Sequence, residues 1–366
     1  MKLNYPYLHQ QFRNFKPYFN DLAKFVKSGE FTLGPYVKKF EKKFAKYIGV
    51  KYAIGTNTGT DALRLSLIAL GIKSGDEVIT VANTFIATIG AIVSIGAKPI
   101  LVDCDDRYQI DTNKIEEKIT KKTKAILPVH WAGAPCEIDI ILKIAKKYKI
   151  HVVEDACPAV GGYYKGKKCG TFGTVNAFSM HPLKPLNVWG DGGVIVTNSK
   201  KIYEFLKLYR NHGLKDRDHV EIWGVNNRLQ PFQAVVGIRS LDNVEKYIKA
   251  RNNVAKLYDA AFKNIKEIRL PVRLTNTREV FQLYKIKVKK RDQLIKFLKK
   301  NNIDCTIHYP IPIHLQKAAK NLKYKLGDFK KTEQQCKEII TLPCHQFLSK
   351  KQINFVIIKI KEFYEK

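Results

Sequence analysis

The chain reads as an α/β protein: a large unit with a mostly parallel sheet covered by helices on both faces, then a smaller C-terminal α+β unit. Three observations predict this. Short apolar runs of strand length recur from residue 52 to residue 197. Amphipathic segments of helical period separate most of them. After about residue 240 that rhythm ends, and long helical stretches dominate. A chain of 366 residues can bury one large core and a second, smaller one. The expected division is 1–240 and 241–366.

The elements follow in order. From Tyr7 to Tyr47 the pattern is mostly helical, with Val37, Phe40, Phe44 and Tyr47 at three- and four-residue steps. Pro35 suits a first helical turn, and Gly49 ends the helix. The strand candidates are YAIGT at 52–56, EVITV at 77–81, KPILVD at 98–103, KAILPVH at 124–130, IHVVEDA at 150–156, TVNAFS at 174–179 and GGVIVT at 192–197. DALRLSLIALG and DIILKIAKKYK are helices between them. In the second unit, VEKYIKARNNVAKLYDAAFKNI predicts a long helix and REVFQLYKIKV a strand. DQLIKFLKKNN predicts a helix and NFVIIKI a closing strand.

Composition excludes several classes. The N-terminus, MKLNYPYLHQQFRNF, has no apolar core of a signal peptide, and no run of eighteen apolar residues occurs. The seven cysteines, at 104, 136, 157, 169, 305, 336 and 344, form no CxxC pair. Reduced thiols in a cytoplasmic protein are expected, with neither a disulfide framework nor a metal site. The formal net charge is +32. Its lysines are spread along helical surfaces, as in IEEKITKKTK, with no zinc finger, RNP-like strand or basic tail, so nucleic acid is not the expected partner.

One lysine stands apart. Lys184 lies in AFSMHPLKPLNVWGDGGVIVT, amid Met180, Pro182, Leu183, Pro185, Leu186, Val188 and Trp189. A lysine in an apolar loop beyond a strand end loses hydration, which lowers its pKa and frees the amine for Schiff-base chemistry. The loop alone equally allows a side chain that snorkels to solvent. Asp155 ends the apolar run IHVVE, where such sheets bind ligands. A buried carboxylate there needs a partner, and a protonated pyridine nitrogen is a good one. A helix cap or a structural ion pair is the plain alternative. Glu154 is expected on the other sheet face.

The segment TNTGTDALRL places Gly59 in a turn, with Thr60 or Asp61 starting a helix whose free N–H groups suit a phosphate. An ordinary N-cap reads equally well. It is neither a Walker A sequence nor GxGxxG. Ser179, five residues before Lys184, can reach a phosphate, and Phe85 can stack on a flat ring or pack in the core. Asn226 and Arg228 read as loop residues that face solvent or cross to a neighbouring subunit. His308 and His314, in IHYPIPIH, line a pocket or sit in a proline-stiffened loop.

Together TNTGTDAL, GDEVITVANTFIAT, KTKAILPVHWAG, VVEDACPAVGG, FSMHPLK, GDGGVIVT, RNHG, GVNNRL and HYPIPIH are recognisable. In order and spacing they resemble the DegT/DnrJ/EryC1 sugar aminotransferases. The resemblance runs from GPYVKKFE to LPCHQFL. It implies the fold-type I architecture of enzymes that use pyridoxal 5'-phosphate (PLP), with a seven-stranded sheet. It assigns Lys184 to the Schiff-base lysine and Asp155 to the ring nitrogen. Phe85 falls at the stacking position, and Thr60, Asp61 and Ser179 at the phosphate cradle. Asn226 matches a residue that reaches the other subunit's cofactor, which implies a homodimer with shared sites. His308, Tyr309 and His314 match the border of the sugar site. The implied reaction moves an amino group from glutamate or glutamine to a nucleotide-linked keto sugar, as in polysaccharide biosynthesis. Where many members carry glutamine near the ring hydroxyl, this chain has Pro158, which cannot donate that hydrogen bond. Some relatives carry histidine for the lysine and act as dehydratases; Lys184 is retained here. The rival readings are a same-fold enzyme acting on another ketone such as an inosose, one eliminating water from a sugar, and a non-catalytic PLP-binding regulator.

Overall fold

A computed structural model describes Leu3 and residues 7–365, so part of the N-terminal stretch lies outside the described residues. Its strands are β1 Tyr52–Thr56, β2 Glu77–Val81, β3 Lys98–Val102, β4 Thr123–Leu127, β5 His151–Asp155, β6 Tyr163–Tyr164, β7 Lys167–Lys168, β8 Val175–Ser179, β9 Gly193–Thr197, β10 Ile268–Arg269, β11 Thr277–Arg278, β12 Tyr284–Val288 and β13 Ile339–Leu342. The helices are α1 Leu8–Gln11, α2 Lys16–Ser28, α3 Gly34–Ile48, α4 Gly59–Ala69, α5 Ile86–Val93, α6 Ile138–Tyr148, α7 Lys200–Tyr209, α8 Pro231–Leu241, α9 Val244–Phe262, α10 Arg291–Lys300, α11 Lys330–Glu338 and α12 Lys350–Tyr364.

Seven strands form one sheet in the order β1-β9-β8-β5-β4-β2-β3. β9 runs antiparallel to both its neighbours, and every other neighbouring pair is parallel. Successive side chains along each strand enter different cores, as pleating requires. Ile54, Val78, Leu127, Val153, Ala177 and Ile195 pack on one face with Leu63 and Leu67 of α4, Ile92 of α5 and Leu206 of α7. On the other face, Ile79, Ile126 and Val152 meet Ile141 of α6. There too, Phe178, Val194 and Val196 meet Phe40 and Phe44 of α3. Covering both faces explains the near-continuous apolar strands and the parallel pairing.

The seven large-sheet strands lie where the sequence places them. Pro35 sits in the first turn of α3, and Gly49 caps it with a φ of 93°. The C-terminal region departs from expectation. NFVIIKI is not a strand; it lies inside α12. Ile353, Val356 and Ile360 are buried at helical steps, and Ser349 with Gln352 forms a reciprocal capping box. The run FVII hid a three-to-four periodicity beneath a continuous apolar stretch. REVFQLYKIKV splits into β11, which pairs with β6, and β12. The third strand of the small sheet β10-β12-β13 is IITL at β13, which the sequence reading missed.

α9 ties the parts together. Its Ile248 packs in the large-sheet core, while Val254, Ala255, Tyr258 and Phe262 pack with β12 and α12. No helix among the described residues is long and apolar enough to cross a membrane. The capping box yields a stability prediction. Ser349→Ala should lower the unfolding free energy by about 1 kcal/mol, seen in urea titration as a lower midpoint with an unchanged slope.

Candidate active site

Five of the parallel strands deliver chain to one edge of the sheet, the carboxyl edge. β1 leads to α4, β2 to Phe85, β4 to Trp131, β5 ends at Asp155, and β8 leads to Lys184. A cavity of about 360 Å³ opens there. Lys184, Asp155, Thr60, Phe85, Ser179, His308 and Tyr309 all line it, as does Pro158.

Lys184 is half-buried and lines this cavity. Desolvation pushes its pKa below the ordinary lysine value, against the opposing pull of Cys157 and Asp155. No ion pair within 4.0 Å engages its Nζ among the described residues.

Asp155 is buried at the last position of β5. Its Oδ2 accepts from the Thr88 hydroxyl at 2.9 Å, and its Oδ1 from the Cys157 N–H at 3.1 Å. Glu154 faces the other way, as pleating predicts. It accepts from His130 Nε2 and from the N–H groups of Gly170, Phe172 and Gly173, at 2.7–2.8 Å.

The α4 terminus differs slightly from expectation. Thr58 is the N-cap, its hydroxyl accepts from the Asp61 N–H at 2.9 Å, and the helix begins at Gly59. The side chain of Asp61 is engaged by the Thr58 hydroxyl at 2.8 Å and by Arg64 at 3.2 Å, and it does not line the cavity. The N–H groups of Gly59 and Thr60, in the first turn, have no intrahelical acceptor. Ser179 closes against them: a Cβ at Gly59 would fall 2.6 Å from the Ser179 Cβ. Likewise a Cβ at Gly193 would fall 2.1 Å from the Thr58 carbonyl oxygen, so the GDGG turn must be this small.

Aromatic rings form one wall. Phe85 is 56% exposed and lies 5.9 Å from Tyr309 at 37°. Trp131 meets Tyr309 edge-on at 6.5 Å. His308 holds the Thr341 hydroxyl through Nδ1 at 3.0 Å, and burial beside Lys184 pushes its pKa down to about 4.

Besides Asp61, two candidates lie elsewhere. His314 does not line the cavity; it is buried, bonds Glu333 at 2.9 Å and packs edge-on to Phe329. Burying the ring and pairing it with Glu333 uses it for structure. Asn226 is exposed and also outside the cavity, whereas its neighbour Asn227 is buried and bonds Asn57 and Arg64. The sequence reading missed Thr58, Thr88, Trp131 and Gln282 among the residues that line the cavity. Thr84 and Thr88, four apart in NTFIAT, gave no clear signal: Thr84 precedes the Phe85 N-cap of α5, so helical spacing does not pair the two.

His308 generates a pH prediction. Its folded pKa near 4 lies below the ordinary 6.5, so between these values the unfolded chain binds the extra proton. Its stabilising contribution is whole above pH 6.5 and is lost as pH falls towards 4. Ring-nitrogen NMR of the cofactor-free protein should show His308 still neutral at pH values where exposed histidines are charged.

Comparison with known proteins places this geometry. A transaminase from Aneurinibacillus thermoaerophilus, named for dTDP-3-amino-3,6-dideoxy-alpha-D-galactopyranose, is 39% identical over 93% of this chain and 94% of its own length. A protein of Geobacillus stearothermophilus named as a pleiotropic regulatory protein is 37% identical over 98% of this chain and 97% of its own. The crystal structure of DesV from S. venezuelae in complex with a ketimine intermediate superposes with a TM-score of 0.96 at 33% identity, covering 100% of this chain and 98% of DesV. The profile of the DegT/DnrJ/EryC1/StrS aminotransferase family matches residues 16–361, and the chain belongs to that family.

Proposed function

We propose that the chain transfers an amino group from glutamate or glutamine to a nucleotide-linked keto sugar, with PLP held on Lys184. The observation that carries this reading is one cavity lined by a desolvated lysine amine, a buried carboxylate, the open first turn of a capped helix and an exposed aromatic face. These groups fit PLP part by part.

When bound, PLP supplies an electrophilic carbon for amines and a ring that accepts electrons. The N–H groups of Gly59 and Thr60 and the Ser179 hydroxyl receive the phosphate. Asp61 acts here by fixing the Thr58 cap, since its carboxylate is already engaged and would repel a phosphate. Phe85 covers one ring face. Asp155 pairs with the ring nitrogen and keeps it protonated.

Lys184, once released by the incoming donor, moves the proton from the donor's α-carbon. That task needs an unprotonated amine close to the carbon, and burial lowers the cost of losing the amine's proton. His308 and Tyr309 border the acceptor. His308, with its pKa pushed down to about 4, presents an uncharged ring to a sugar.

Asn226, exposed beside the buried Asn227, belongs in this reading to a second copy's cofactor phosphate, which makes the protein a homodimer with shared sites. We assign it to the cytoplasm and divide it at residues 240 and 241, with α9 as the connection.

The name of the Geobacillus relative favours a second reading, a PLP-binding regulator without turnover. The two separate cleanly: an aminotransferase converts its cofactor to pyridoxamine phosphate when glutamate is added, and a regulator does not. Lys184→Ala should abolish the visible absorption that belongs to the lysine-bound cofactor and lower turnover about a thousandfold or more. Normal transamination by that variant would refute the assignment. With ¹⁵N-labelled donor, the label should appear in the sugar product; an unlabelled dehydrated sugar would instead mean elimination.

A further inference from the structure

Asp155 is held by more than its strand. Thr88, on α5, donates to its Oδ2 at 2.9 Å, and Thr84, four residues earlier, lies 2.9 Å from the Thr88 oxygen. Thr84 and Thr88 are 2% and 1% exposed. A hydroxyl has one proton. An ionised carboxylate can only accept, so Thr88 spends its proton on Asp155. The Thr88 oxygen must then accept from Thr84. The chain therefore runs in one direction, Thr84 to Thr88 to Asp155, and each bond polarises the next.

The other carboxylate oxygen takes the Cys157 N–H at 3.1 Å. Each oxygen is thus fixed by one donor and keeps further acceptor capacity, and Asp155 lines the cavity. Phe85 lies between the two threonines in sequence. The start of α5 therefore presents an aromatic face to the cavity and pins the carboxylate as well.

We propose that Thr88 is a positioning residue that holds Asp155 in the orientation that meets the cofactor's ring nitrogen, and that Thr84 orients the Thr88 hydroxyl. This rests on the reading that PLP binds here with that nitrogen towards Asp155. The role predicts a loss specific to the nitrogen, whereas damaged packing weakens every ligand alike.

The test is calorimetric titration of cofactor-free protein with pyridoxamine phosphate and with its carbocyclic analogue lacking the ring nitrogen. The isosteric Thr88→Val variant should bind pyridoxamine phosphate about tenfold more weakly, the scale of one lost hydrogen bond to a charged group. Its affinity for the analogue should not change. Thr88→Ser should recover wild-type binding, and Thr84→Val should show a smaller loss of the same kind, about threefold. The positioning role is overturned if Thr88→Val weakens both ligands equally or neither. Asp155→Asn is the control on the underlying reading. If it keeps the wild-type preference for the nitrogen-bearing ligand, the placement of the ring itself is wrong. If it loses the preference while Thr88→Val keeps it, only the role of Thr88 falls.

Discussion

The site depends on withdrawing an amine partly from water while leaving it without an ion pair. A lysine amine is strongly hydrated, and burial destabilises its charged form. The fold arranges that burial with Met180, Leu186 and Val188, which anchor the loop around Lys184 in the core beneath the sheet edge. The remaining constraints follow. The loop must turn back sharply into β9, and β9 must pass so close to Thr58 that Gly193 cannot carry a side chain. The same approach brings Ser179 against the first turn of α4. Cavity, lysine and helix terminus are consequences of one packing arrangement.

The adjacent carboxylates of β5 show how such a site differs from structure. Glu154 receives four donors and has no capacity left for a ligand; it ties the turn after β7 to the sheet. Asp155, one residue on and facing the opposite way, receives two and lines the cavity. Buried polar groups are normally satisfied, so incomplete satisfaction beside an opening marks a group that awaits a partner. His314, paired with Glu333, falls on the structural side of that line.

Much of this was legible in the chain. The seven large-sheet strands announce themselves because strands buried on both faces are short, apolar and separated by helical periods. Lys184 and Asp155 could be singled out because each breaks an apolar context at a strand end. Periodicity failed where an apolar run was too continuous to show its period, as in NFVIIKI of α12, and where a strand was only IITL. The start of α4 was misplaced because Thr58, Thr60 and Asp61 are all good caps, and only the Thr58 hydroxyl is placed to receive the Asp61 N–H. Thr88 escaped notice because a threonine inside a helix has no distinctive sequence signature. Its importance is a matter of what lies across the sheet edge. His314 misled because a histidine in a proline-rich loop looks the same whether its ring meets a cavity or a buried glutamate.

The central claim is a covalent bond between cofactor and one amine among the many lysines of a +32 chain. The direct measurement is borohydride reduction of the PLP-loaded wild-type protein, followed by proteolysis and mass spectrometry of the peptides. The account predicts one pyridoxyl-phosphate adduct, on Lys184. An adduct on another lysine, or scattered labelling with Lys184 unmodified, would contradict it.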